Sequence, residues 1–283
     1  MSKVHLGTSG NPPNFFESEF KKDRLLAPLW IDSIGLNAYE VLFTHGVKMS
    51  DERAQIMGDN AKKGNIKLSV HCPYFVVLTS DKEEVVLRSR ERVKKSLTRA
   101  HIMGATSAVL HPGYYNGTNP FSQLKKELKN LCKWKEDVGI KTTINPEVMG
   151  KKSQLGSVSE VIEMCSEIEG LAPCVDFGHL HARDGGFLQS KNDFRIIFEQ
   201  IEKGLGKEGL RNLHCHFAPL EYNDKGEIRH RAHTERDYKP HPEPFCDLIK
   251  EFKMSPTVIS ESRDSQDTAA IEMREYLKKI NYW

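Results

Sequence analysis

The feature that most restricts this chain is an alternation. Short β-branched apolar runs recur eight times, and each is followed by a longer stretch of helical period. That order is the mark of parallel strands joined by crossover helices. The spacing predicts strands over residues 4–7, 39–43, 67–71, 107–111, 141–145, 174–176, 212–216 and 257–260. Helical patterns fall near 21–34, 50–63, 82–103, 120–137, 158–168, 191–204, 243–253 and 266–279. Ser80-x-x-Glu83 and Ser157-x-x-Glu160 read as capping boxes, and Asn119-Pro120 as an N-cap followed by proline at the first helical position. In the third helix Val86, Arg90, Val93, Leu97 and Ala100 make one stripe, while Arg88, Arg92, Lys94 and Lys95 fall on outer, solvated faces. Eight βα units with no linker and no shift in composition favour a closed ring over an open doubly wound sheet. The expected fold class is therefore α/β, a single (β/α)8 TIM barrel over residues 1–283, with a metal site at the C-terminal face of its strands.

The strand ends carry the chemistry. Strand three ends in His71 and strand four in His111, and strand five runs into Glu147. Strand six ends in Asp176 with His179 one turn on, strand seven carries His214 and His216, and strand eight runs into Glu261. In a barrel these ends open on one face, so six consecutive strands aim imidazoles and carboxylates into one bowl. Burying such groups together costs several kcal/mol unless cations compensate, so the ring makes sense as a metal cage. Nitrogen and oxygen ligands without thiolate suit zinc first, then manganese or iron. One ion cannot use them all, whereas two or three sharing a bridging carboxylate can.

Other classes of function fare worse. Lys and Arg total 41 against 39 Asp and Glu, a formal charge of +2, so no broad basic field exists and any polyanion contact must be local. No apolar run approaches the ~20 residues of a membrane span, and MSKVHLGTSG has no signal-peptide pattern, so a cytoplasmic location is expected; the chain is expected to act without a membrane, as a monomer. The six cysteines include no C-x-x-C pair and read as buried free thiols, with Cys72 a poor candidate nucleophile beside His71. Neither a phosphate-cradling glycine loop nor a G-x-S-x-G elbow is present. Histidine stands out: of 12, seven lie between His179 and His241, and the stretch from Pro219 to Pro242 is too long for an ordinary turn.

The blocks Leu68-Ser-Val-His-Cys-Pro-Tyr74, Val109-Leu-His-Pro-Gly113, Asn145-Pro-Glu147, Val175-Asp-Phe-Gly-His179, Leu213-His214 and Ile259-Ser-Glu261 resemble the endonuclease IV family of apurinic/apyrimidinic endonucleases, within the xylose-isomerase-like barrels. The stretches 147–156 and 176–183 look most like its archaeal branch. The resemblance implies a DNA-repair hydrolase that cuts the phosphodiester 5′ to an abasic nucleotide in damaged double-stranded DNA, using two or three zinc ions and metal-bound hydroxide. It implies that His71 and His111 hold one ion and that Glu147 bridges to a second completed by Asp176, His214 and Glu261. A third ion falls to His179 and His230. Glu147 and Glu261 are its implied catalytic carboxylates.

Two departures are visible. The best-known bacterial pattern carries an Asp two residues before the third-site His, but here Ile228 precedes Arg229-His230. The third ion is then expected to recruit His216, His181, His233 or a water, or to be held weakly. The loop after strand two, which family members insert into DNA, is short here (residues 45–50) and lacks arginine. Tyr74, Tyr114 and Tyr115 on the rim are candidates for stacking on nucleotides. A sugar isomerase or epimerase using one divalent ion at Glu147, Asp176, His214 and Glu261 is the competing expectation, and a binding module without activity the third.

Overall fold

The computed structural model describes residues 4–283; the first three residues of the stretch read for a signal peptide lie outside the described residues. Eight parallel strands form one sheet: β1 (His5–Ser9), β2 (Ala38–Leu42), β3 (Lys67–His71), β4 (Ser107–Leu110), β5 (Thr143–Pro146), β6 (Cys174–Asp176), β7 (His214–Phe217) and β8 (Thr257–Ser260). Their order is β5-β4-β3-β2-β1-β8-β7-β6, so each strand lies beside its neighbour in sequence. The ends meet through two parallel bridges, Ile144 with Leu171 and Glu147 with Cys174, and a nearly closed (β/α)8 barrel results. All eight expected strands form, three of them (β3, β6 and β8) with the expected bounds.

The strands are buried nearly throughout, as both faces of a barrel require: residues point either into the lumen or against the surrounding helices. In helix Glu83–Met103 the predicted stripe packs inward, and its one charged member, Arg90, is paired with the buried Glu127 of helix Pro120–Asp137. Behind β6 and β7, Phe177, Phe194, Phe198, Phe217 and Phe245 form one aromatic block, with Phe177 and Phe245 centroids 4.7 Å apart.

Two local expectations need correction, and a third holds by position without its bond. The Ser80 capping box does not form: helix Glu83–Met103 has Lys82 at its N-cap, and the Ser80 hydroxyl accepts instead from the Lys82 N–H. Asn119 does sit at an N-cap before Pro120, but its side chain makes no capping bond. The 21–34 pattern resolves into two 3-10 turns and a short helix, Ala27–Ser33. The Ser157–Glu160 box is present as read.

Candidate metal centre

Each ring residue is delivered by a local device. β3, β4 and β5 are in parallel register and end together, which brings the His71 and His111 Nε2 atoms to 3.4 and 3.3 Å from Glu147 Oε2. Asp176 closes β6 and caps the helix Phe177–Arg183: Oδ1 accepts the His179 N–H at 2.8 Å. The spacing Asp-x-x-His therefore follows from capping, since the residue whose N–H is capped is the residue whose imidazole enters the site. Asp176 Oδ2 is left buried and without a hydrogen-bond partner among the described residues.

Second contacts fix which ring nitrogens face the bowl. His71 Nδ1 lies 2.8 Å from the Cys72 carbonyl, His179 Nδ1 3.0 Å from the Val148 carbonyl, and His230 Nδ1 3.1 Å from the Glu261 carbonyl. In each case Nε2 is the atom left for a ligand. His216 is turned the other way: Nε2 faces Glu40 at 3.0 Å, and Nδ1 faces Glu147 at 3.0 Å and Glu261 at 3.6 Å. Ser9 Oγ donates to Glu261 Oε1 at 3.0 Å.

Among the described residues ligand atoms gather into four groups, three of them adjoining at the strand ends: His71, His111 and Glu147; Glu147, Asp176, His216 and Glu261; and Asp176, His179 and His230. Glu147 belongs to two of them, and so does Asp176. The expected bridging position of Glu147 thus has a geometric counterpart, while the expected place of His214 needs correction. Both His214 and His216 point into the lumen because strand side chains repeat every second residue. His214 is the lower one, with Nε2 3.1 Å from Glu40 Oε2, and its own group is Cys174 with His216. The upper position beside Glu147, Asp176 and Glu261 is filled by His216, not as a recruit to the third group.

The remaining histidines expected to serve the third group lie elsewhere. His181 is buried under the short helix, where Nδ1 accepts the Leu188 N–H at 3.1 Å, and His233 is paired with Glu272. Tyr74 stacks on His111 with centroids 5.2 Å apart, and Tyr114 lines the bowl. The Tyr115 hydroxyl is held between Glu160 at 2.8 Å and Arg183 at 3.2 Å, so this ring is tied to the scaffold.

Two residues escape the sequence reading. Glu40, fully buried in mid-β2, accepts from Ser69 Oγ at 2.7 Å and supports both β7 histidines. An acid inside an otherwise apolar strand is the available signal, because buried carboxylates are almost always paired. Glu227 lies 3.5 Å from His179 Nε2 and 3.8 Å from His230 Nε2.

Charge and burial compete throughout this ring. Burial alone would raise the Glu147 carboxyl, but His216, His111 and His71 outweigh it and hold the group well below the usual carboxylate range. Asp176 goes the other way: burial raises it, and the negative charges of Glu261 and Glu147 add to the effect. Burial of His179 is outweighed by Asp176, Glu227 and Glu147, which lift its imidazolium to about 9. Such a ring holds protons where cations would satisfy it. With an Asp176 oxygen that accepts no hydrogen bond and an all nitrogen-and-oxygen donor set at the strand ends, the residues fit a cluster of divalent ions of the zinc, manganese or iron kind. Cys72 is no competitor, since burial pushes its thiol up to about 12.

The ring floors an open bowl of roughly 480 Å³ whose wall includes Leu42, Tyr74, Tyr114, Met149, Lys151 and Gln154. No helix among the described residues is long and apolar enough to cross a membrane.

Comparison with other proteins follows the same lines. A family model described as a xylose isomerase-like TIM barrel matches residues 29–280. An uncharacterized protein of Methanocaldococcus jannaschii is 31% identical over 274 residues, 96% of either chain. A probable endonuclease 4 of Staphylococcus carnosus is 27% identical over 199 residues, 66% of either chain. Among solved structures, endonuclease IV from Thermus thermophilus superposes with a TM-score of 0.70 at 16% identity over 98% of both chains. A D-tagatose 3-epimerase-like protein does so with a TM-score of 0.67 at 20% identity over 87% of this chain and 90% of its own. At those identities the solved structures speak for the fold alone.

Proposed function

The chain belongs to the xylose isomerase-like TIM barrel family, and from that premise we propose that it is a metal-dependent DNA-repair endonuclease, a phosphodiesterase that cuts 5′ to abasic sites in double-stranded DNA. The observation that carries the reading is the sharing of Glu147: the pair His71 and His111 and the group Asp176, His216 and Glu261 meet on one carboxylate. A polynuclear site of this kind suits phosphoester hydrolysis. The low-identity likeness to probable endonucleases 4 supports the same class.

When bound, the ions would supply Lewis acidity, neutralising phosphate charge and acidifying water. His71 and His111 would hold one, with Glu147 Oε2 facing both imidazoles. Asp176, His216 and Glu261 would hold a second, with Glu147 Oε1 facing His216. His179 and His230 would hold a third. Glu147 fixes the spacing of the first two positions because one rigid carboxylate touches both sets. Ser9 orients Glu261 through the 3.0 Å bond. Tyr74, braced by His111, offers a ring face to a base or sugar beside the bowl. Lys151 places a cation on the wall where a polyanionic backbone would pass, the local contact that a chain of nearly balanced charge needs.

A second reading, a single-metal sugar epimerase, is favoured by one observation: Glu147, Asp176, His216 and Glu261 by themselves make a four-ligand site, and structures of epimerases share the fold. It leaves His71, His111, His179 and His230 without a task. A duplex oligonucleotide with one tetrahydrofuran abasic analogue separates the two. Zinc-loaded protein is expected to nick that duplex on the 5′ side and to contain more than one zinc per chain by elemental analysis. An intact duplex together with a single bound ion would overturn the repair assignment in favour of the epimerase.

A further inference from the structure

The stretch after β7 folds as a hairpin of two antiparallel strands, Leu220–Asn223 and Gly226–His230. Its pairing is irregular. Leu220 faces His230 and Glu221 faces Arg229, but Tyr222 faces Glu227, so Ile228 has no opposite number. One extra residue in a strand reverses the alternation of faces beyond it. Burial follows that rule: Glu227 and His230 are half-buried toward the bowl, whereas Ile228 and Arg229 are exposed. In a regular strand residues two apart share a face; across this bulge, residues three apart do.

The neighbours are arranged for Glu227. Its carboxylate lies 3.5 Å from His179 Nε2 and 3.8 Å from His230 Nε2, the two nitrogens left free once both Nδ1 atoms are bound to backbone carbonyls. Gly150 gives it room, for a Cβ there would stand 2.8 Å from Glu227 Cβ and 3.0 Å from His179 Cδ2. The hairpin is pinned at that point: the Glu227 N–H donates to the Gly150 carbonyl at 3.1 Å, and Gly226, at φ +99°, packs directly on the same carbonyl.

We infer that Glu227 is a ligand of the third divalent cation, with His179 and His230, and that the bulge at Ile228 is the device that brings it there. The inference rests on the metal reading above. Beside Asp176, which already adjoins the third group, it assigns the strand-borne carboxylate to a residue three positions before His230 in place of the usual two. No recruit from His181, His233 or His216 is then needed.

The test is zinc binding by the full chain, read by elemental analysis after gel filtration and by competition with a chromophoric chelator, with circular dichroism as the folding check. Wild type is expected to bind three equivalents. Glu227→Gln, nearly isosteric, is expected to lose one of them or to weaken it at least about tenfold. Deleting Ile228 removes the bulge and sets Glu-Arg-His in regular alternation, so that variant is expected to keep the third zinc within about fivefold of wild type. Glu227→Gln retaining three equivalents at unchanged affinity overturns the inference and leaves the metal reading standing, as does loss of the third zinc on deleting Ile228 in a protein that still folds. A wild-type chain that takes up no more than one zinc overturns both.

Discussion

Two parts of the molecule deliver ligands to one bowl by different physics. On the β3 to β8 side the barrel does it: His71, Glu147, Asp176, His216 and Glu261 stand at or just past strand ends whose register is set by parallel ladders. Their positions are a by-product of the fold. Above the ring leans the hairpin that follows β7, where Glu227 shares a face with His230 across a three-residue spacing because one strand carries an extra residue, and a glycine lets that strand lie close. The first kind of placement is redundant, since many hydrogen bonds share the load. The second hangs on single residues, and this is where relatives with the same fold are free to differ.

The comparison breaks first at its centre. Glu147→Gln is expected to cost at least about 10³-fold in turnover on an abasic duplex, beyond the ~10–100-fold that follows loss of a group supporting a metal ligand. Circular dichroism should show the barrel intact, and turnover within tenfold of wild type would remove Glu147 from its shared position. Next comes the choice between the two β7 histidines. His216→Ala should weaken zinc binding by more than about 100-fold, His214→Ala by no more than about tenfold, as measured by chelator competition; the reverse order would restore His214 to the ring.

The smallest effect lies away from both regions. Burial of Glu160 is outweighed by the Ser157 N–H, the Tyr115 hydroxyl and the Gly156 N–H, which lower its carboxyl below the ordinary value. A carboxyl lowered in the folded state stabilises above its unfolded value and loses that contribution as pH falls through the folded one. Glu160→Gln should therefore cost about 1 kcal/mol in urea unfolding at pH 7, a difference that shrinks as pH falls below the ordinary carboxylate value and through the lowered folded one. Zinc content should be unchanged.

Much of the barrel side is legible in the sequence. Hydrophobic period separates strand from helix, and the residue after each strand names the ring. What period cannot do is measure depth: His214 and His216 share a face, and only the barrel decides that the one about 6–7 Å higher joins the upper ring. Glu40 is hidden for a related reason, its neighbours in β2 reading as an ordinary buried strand. The hairpin is the least legible part. Its bulge is a mismatch between two strands, visible only once they are paired, and Ile228 looks like a missing ligand when it is the spacer that presents one. The Ser80 motif fails because three-residue spacing alone does not say where a helix begins.

The closing joint of the barrel has a mechanical consequence. Every other neighbouring pair of strands is zipped by a run of paired residues, but among the described residues β5 meets β6 and the segment before it through two isolated bridges, one of them at Glu147, backed by the Asn145 amide donating to the Pro173 carbonyl. The residue whose carboxylate the proposed chemistry would use is thus also, through its backbone, one of the fastenings of that seam. Opening of that seam would move the Glu147 backbone, so a group held by its carboxylate in the bowl would also brace the seam. Amide exchange in Thr143–Val148 should slow when the bowl is filled, and the barrel should resist heat more than its own ladders would allow.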